Sequence, residues 1–234
     1  MHLLSTLGLQ GALRELVPAF ERQTGTKINA EFGPTTVLME RIAAGQTADV
    51  AILTLAGIDQ LISTGTMLPG SRTDLVRSAV GIAVRAGAAR PDISTVDAFR
   101  RTLLEAKSIV YSKAGASGIF FAGLIERLGI AAEINARSTI IASGFTGELV
   151  AAGQAEIAVQ QISELNEVAG IDIVGALPVE IGSVTIFSAG LFAAAAQQEP
   201  AREFIAFLTT PTAASAIKTS GLSPLAVEAK VRPF

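Results

Sequence analysis

Apolar residues recur along the chain in two alternating periods. Leu9, Leu13, Leu16, Val17 and Phe20 fall on one face at helical spacing, which predicts a helix. Pro18 lies inside that pattern and predicts a kink, and Gly25 predicts its end. Leu3–Thr6 precedes it as a short strand, and Ile28, Ala30 and Phe32 follow with strand alternation. Thr35 and Thr36 offer a cap to a helix over Val37–Ala44, closed by Gly45. Ala48–Leu53 reads as a buried strand, Ile58–Ser63 as a short helix and Arg77–Arg85 as a longer strand. Ser94-Thr95-Val96-Asp97 resembles a capping box. Strands at Ser108–Tyr111, Ser138–Ala142, Ala155–Gln160, Ile171–Val174 and Ser183–Ser188 complete the pattern with helices at Ser117–Leu128, Thr146–Ala152, Pro200–Leu208 and Pro211–Thr219. This alternation predicts a parallel α/β architecture. There is no long linker or repeat, and 234 residues suit one large domain or two small lobes.

Composition gives the apolar residues a place. Half the chain is hydrophobic and 17% is charged, against about 25% charged in a typical globular protein. The longest apolar run, Ala189–Ala196, has eight residues, far short of the roughly 20 that span a bilayer. The excess therefore belongs in a core of strands covered on both faces, and no membrane insertion is expected.

Other classes of chemistry drop out. There is no cysteine, and the single histidine is His2. Thiol nucleophiles, thiolate metal sites, a Ser–His–Asp triad and multi-histidine sites are excluded. No P-loop or dinucleotide fingerprint is present, so neither metal nor cofactor is expected. A net charge of −3 without a basic stripe argues against nucleic acid. Met1-His2-Leu3-Leu4 leads directly into a strand without a leader pattern. The expected location is periplasmic if a signal peptide has been removed, and otherwise cytoplasmic.

Four predicted turns share a small, hydroxylated, glycine-rich character: Ser5–Gly11, Gly33–Thr36, Lys113–Gly118 and Ser143–Gly147. Turns after strands carry the ligand in open α/β sheets, and helix N-termini bind anions through free N–H groups. Thr35, Thr36, Ser117 and Thr146 add hydroxyls. The same residue types also serve as ordinary caps. Gln160 and Gln161 can grip a carboxylate or face water at a strand end, and Lys113 can pair with an anion or stay solvated.

Several segments in order resemble a known family: Leu9–Gly25 (LQGALRELVPAFERQTG), Glu31–Asp49 (EFGPTTVLMERIAAGQTAD), Ser117–Phe120 (SGIF), Gly147–Gln161 (GELVAAGQAEIAVQQ), Ala201–Pro211 (AREFIAFLTTP) and Ala213–Gly221. The chain resembles the molybdate-binding-protein-like branch of type II periplasmic solute-binding proteins. The resemblance implies two α/β lobes with a ligand cleft at a two-strand hinge. Residues 1–80 and 189–234 would form the first lobe and 81–188 the second, with hinge strands near 81–85 and 184–188. Ligand-binding positions then fall on Thr6, Gly8, Leu9, Thr35, Thr36, Ser117, Gly118, Thr146, Gln160 and Gln161. Molybdate binders usually carry serine at the position of Gly8 and tyrosine at that of Gln160, so a larger ligand, an organic carboxylate, is expected.

Two functions follow from the resemblance. One is capture of a small anion by a monomer that delivers it to an ABC permease. The other is isomerisation of cis- and trans-aconitate, since a few proteins similar to this branch are such isomerases. The second needs a general base, for which Lys113, Tyr111 and Glu148 are the candidates.

Overall fold

The computed structural model describes residues 1–225. The first part runs β1 (His2–Thr6), a 3-10 turn (Leu7–Leu9), α1 (Gln10–Thr24), β2 (Asn29–Gly33), α2 (Thr35–Ala43), β3 (Val50–Thr54) and α3 (Leu55–Ser63). The 13-residue β4 (Thr73–Arg85) follows. The middle holds α4 (Val96–Glu105), β5 (Ile109–Ser112), α5 (Ala116–Arg127), α6 (Ala131–Asn135), β6 (Ser138–Ile141), α7 (Thr146–Ala151), β7 (Ile157–Gln161), α8 (Ile162–Leu165) and β8 (Ile171–Ala176). The chain closes with β9 (Val184–Leu191), α9 (Gln198–Leu208), α10 (Pro211–Thr219) and β10 (Ser223–Pro224). Residues 226–234, assigned above to the first lobe, lie outside the described residues.

The strands are ordered β2-β1-β3-β9-β4-β7-β5-β6, with β8 and β10 paired to β4 off this line. The parallel α/β alternation falls into two groups of parallel strands joined by antiparallel ones. β1 is parallel to β2 and β3, and β5 is parallel to β6 and β7. β9 runs antiparallel to β3 and β4, and β4 runs antiparallel to β7 and β8. Crossover connections keep strands parallel while the chain stays in one group. Here β4 carries it from one parallel group to the other and β9 returns it. Thr73–Ala79 pairs with β9, whereas Val80–Arg85 pairs with β7 and β8.

Strand alternation sorts side chains onto two buried faces. In the first group Leu3, Val50 and Ile52 pack with α1, α9 and α10. Leu4, Ala51 and Leu53 pack with α2 and α3 on the other face. Phe20 and Phe204 meet edge to face with centroids 5.1 Å apart. In the second group Ile109, Tyr111, Ile157 and Val159 join α4, α5 and α6, while Val110 and Ala158 face Val150 and Leu165. Burial on both faces accounts for the apolar excess.

Local differences from the sequence reading are few. The cap of α4 is Thr95, which accepts from the Ala98 N–H, rather than Ser94. α1 continues through Pro18, which is exposed along with Arg14, so the carbonyl Pro18 leaves free lies on the solvent side. α6 and α8 are additional short helices. Among the described residues no helix is long and apolar enough to cross a membrane.

Candidate functional site

Parallel strands of each group end on the same side of the sheet, and a small cavity lies there. Its walls are Thr6 and Leu7 after β1, Pro34 and Thr35 after β2, and Ser112, Gly115 and Ala116 after β5. Ser143 and Gly144 precede α7, Gln160 and Gln161 end β7, and Glu164 and Phe187 complete the lining. The open space is about 10 Å³ to a water-sized sphere, close to the least that holds one water. A larger ligand therefore requires the walls to separate.

Four helix starts at this cavity carry no side-chain cap, while α8 opens on the Gln161–Glu164 capping box. Thr6, Pro34, Gly115 and Phe145 precede the 3-10 turn, α2, α5 and α7 without any side-chain cap. α3, α4 and α10 are capped by Thr54, Thr95 and Thr210, none of which lines the cavity. α6 and α9, also away from the cavity, lack side-chain caps too. At α2 and α5 the free N–H groups and helix dipoles favour an anion. The Ser112 and Ser117 hydroxyls are buried with no partner. Buried polar groups ordinarily have one, so both are donors in reserve beside α5. Among the described residues no lysine or arginine lines the cavity.

The expected binding residues divide by position. Thr6, Thr35, Gln160 and Gln161 line the cavity. Thr35 Oγ1 accepts from the Thr54 N–H at 3.3 Å. Gln160 is committed internally: its Oε1 accepts from Thr146 N at 2.8 Å and Thr146 Oγ1 at 2.9 Å, and its Nε2 donates to Gly144 O at 3.0 Å. It thus clamps the turn before α7. Gln161 Nε2 donates to Thr185 Oγ1 at 2.8 Å. Thr36 lies beside the cavity and donates to Ala114 O at 2.7 Å, bridging α2 to the β5–α5 turn. Gly8 and Gly118 act through closeness. A Cβ at Gly8 would sit 3.0 Å from the Phe187 ring, and one at Gly118 would collide with the Ser112 carbonyl. The Leu9 side chain belongs to the core with Leu3 and Phe20.

None of the three expected bases lines the cavity. Lys113 and Glu148 are exposed. Tyr111 is buried against Phe121, donates to Asn135 Oδ1 at 2.7 Å, and has its pKa raised by that burial. The ionisable group that does line it is Glu164, absent from the sequence reading. It is 7% exposed and sits at the third position of α8, where it accepts from the Gln161 N–H at 3.3 Å. Burial pushes its pKa from 4.5 to about 7, against the smaller opposing effect of that hydrogen bond. The Gln161-x-x-Glu164 spacing is that of a capping box with glutamine in place of serine or threonine, a weak local signal.

Residues 1–223 match the family of bacterial extracellular solute-binding proteins. The chain belongs to that family. An aconitate isomerase from Pseudomonas sp is 36% identical over 231 residues, covering 96% of this chain and 88% of that protein. The periplasmic molybdate-binding protein of Azotobacter vinelandii has a TM-score of 0.78 at 20% identity, with 100% of both chains covered. The sulfate-binding protein SubI of Mycobacterium tuberculosis H37Rv has a TM-score of 0.76 at 14% identity, covering 96% of this chain and 86% of that one. The fold is that of type II periplasmic binding proteins, two α/β lobes with a cleft between them.

In this solute-binding fold a second, wider recess of about 690 Å³ opens near Ser108 and Ile157, at the starts of β5 and β7. Ligands of open α/β sheets bind at the opposite, carboxyl ends of the strands. Arg85, Arg101 and Lys107 alternate there with Asp92, Glu105 and Glu156, so no single charge is favoured. Some of its carboxylate oxygens are already engaged by backbone, as in Lys107 N to Glu156 Oε2 at 2.7 Å. The small cavity is the candidate site. It can hold the oxygens of an anion with neutral donors and exchange a proton at one carboxyl.

Proposed function

We propose that the protein binds a small polycarboxylate between its lobes and isomerises it by shifting a proton, as in the interconversion of cis- and trans-aconitate. The observation that carries this reading is an ionisable carboxyl, Glu164, in a wall otherwise made of neutral donors. A buried carboxyl beside an anion weakens simple capture, but proton transfer requires such a group. Removing a proton next to a carboxylate builds negative charge on carboxylate oxygens. Fixed N–H groups at α2 and α5 are placed to stabilise it. The 36% identical relative named aconitate isomerase supports the same reading.

The ligand-binding set is Thr6, Gly8, Leu9, Thr35, Thr36, Ser117, Gly118, Thr146, Gln160 and Gln161, with Gly8, Leu9, Gly118, Thr146 and Gln160 shaping the turns. The lobes, 1–80 with 189–234 and 81–188, separate about the strands near 81–85 and 184–188. The handover of β4 from β9 to β7 next to Val80 supports a pivot there.

The family itself favours a second reading: capture of an anion outside the cytoplasmic membrane for an ABC permease. Thermal unfolding with molybdate, tungstate, sulfate, phosphate, citrate and both aconitates separates the two. A ligand at 100 times its Kd adds about 2.7 kcal/mol. Stabilisation by aconitate with appearance of the other isomer is the expected result. Stabilisation by molybdate alone, with no isomerisation, would refute the isomerase and leave the importer.

A further inference from the structure

Resting on the isomerase reading, we propose that Glu164 is the only proton carrier in the site, removing the proton from one carbon of the bound tricarboxylate and returning it to another. Glu164 is the sole titratable residue lining the cavity among the described residues. The alternatives are displaced: Lys113 and Glu148 face solvent and the Tyr111 hydroxyl is engaged by Asn135. Among the described residues no cation lines the cavity to hold Glu164 in a fixed ion pair. Its oxygen is positioned through the Gln161 N–H at 3.3 Å.

The step balances without a co-reactant. The Glu164 carboxylate takes a proton from the substrate methylene, breaking one C–H bond. The electron pair spreads over the allylic carbons and their carboxylates. The Glu164 carboxylic acid then returns a proton to the former vinylic carbon, forming one C–H bond and moving the double bond. Nothing is oxidised or reduced. One base serving two carbons must act on a single face of the substrate. A base that carries the proton between two carbons returns part of the original hydrogen wherever reprotonation outpaces exchange with solvent.

The test uses the full chain with cis-aconitate as probe. Wild type and Glu164→Gln are compared for turnover and for Kd by calorimetry. Glutamine keeps the capping spacing, and circular dichroism with retained aconitate binding verifies folding. The expected result is a loss of kcat of at least about 100-fold with Kd changed little. In parallel, wild-type single turnover in D2O should leave part of the product without deuterium at the accepting carbon. Turnover of Glu164→Gln within tenfold of wild type overturns the proposal while the isomerase reading stands. Internal hydrogen return that persists in single turnover of Glu164→Gln overturns the one-carrier form. Absence of wild-type turnover removes the isomerase reading and this proposal together.

Discussion

Glu164 occupies the third position of a four-residue helix, where a glutamate ordinarily caps the first turn and stays ionised. Its burial changes that, raising the pKa from 4.5 to about 7. Glu167, three residues on, pairs with Arg14 of α1 at 2.7 Å. Between pH 4.5 and 7 the folded state binds more protons at Glu164 than the unfolded chain does. Stability therefore falls as pH rises through that window, by about 3 kcal/mol. Denaturant titrations from pH 4 to pH 8 should reveal this decline, and Glu164→Gln should flatten it and be the more stable form at pH 8. An unchanged slope in the variant would assign the decline to other groups. Gly8 is settled at the same scale: the Phe187 ring fills the space that a side chain there would need.

One scale up, the proposed binding chemistry lies at helix starts. α5 begins against the end of β5 because residue 118 is glycine, which lets the helix approach the Ser112 carbonyl. In a free helix Gly→Ala gains about 1 kcal/mol. Here the obstacle is backbone and cannot rotate away, so overpacking, about 1–3 kcal/mol, wins. Gly118→Ala should lower Tm and weaken anion binding together, by displacing the α5 N-terminus. A Tm at or above wild type would show that α5 adjusts freely. Most elements were legible from spacing, and Gly25 and Gly45 do follow the helices they were read to close. α6 and α8, of five and four residues, were not. Helices that short hold less than two turns, too little for a period to emerge. The missing Glu164 follows from the missing α8.

Across the whole molecule, Thr36 Oγ1 to Ala114 O ties α2 to the β5–α5 turn beside the cavity. One such neutral hydrogen bond contributes about 0.5–1.5 kcal/mol. If ligand is held only with the lobes closed, Thr36→Val should weaken binding by about 2- to 10-fold, mostly through faster release. Stopped-flow measurement of aconitate dissociation reads this directly, and an unaltered release rate would mean the contact plays no part in closure. Arg14 and Glu167 also pair between α1 and the segment after α8, but Arg14 is largely exposed, so that pair contributes little.

The sequence by itself determined the order of strands and helices, the two apolar faces of each strand and the hydroxyl-rich turns between them. These are local properties, set by side-chain period and by the conformations that glycine, proline, serine and threonine favour. Tertiary structure alone decided that the sheet is mixed, that turns from both lobes meet at one cavity, and that Gln160 is spent on a clamp. It also placed Glu164, and not Lys113, Tyr111 or Glu148, in the wall of that cavity. Strand pairing, desolvation and the engagement of a side chain depend on partners far along the chain, and no window of neighbouring residues contains them.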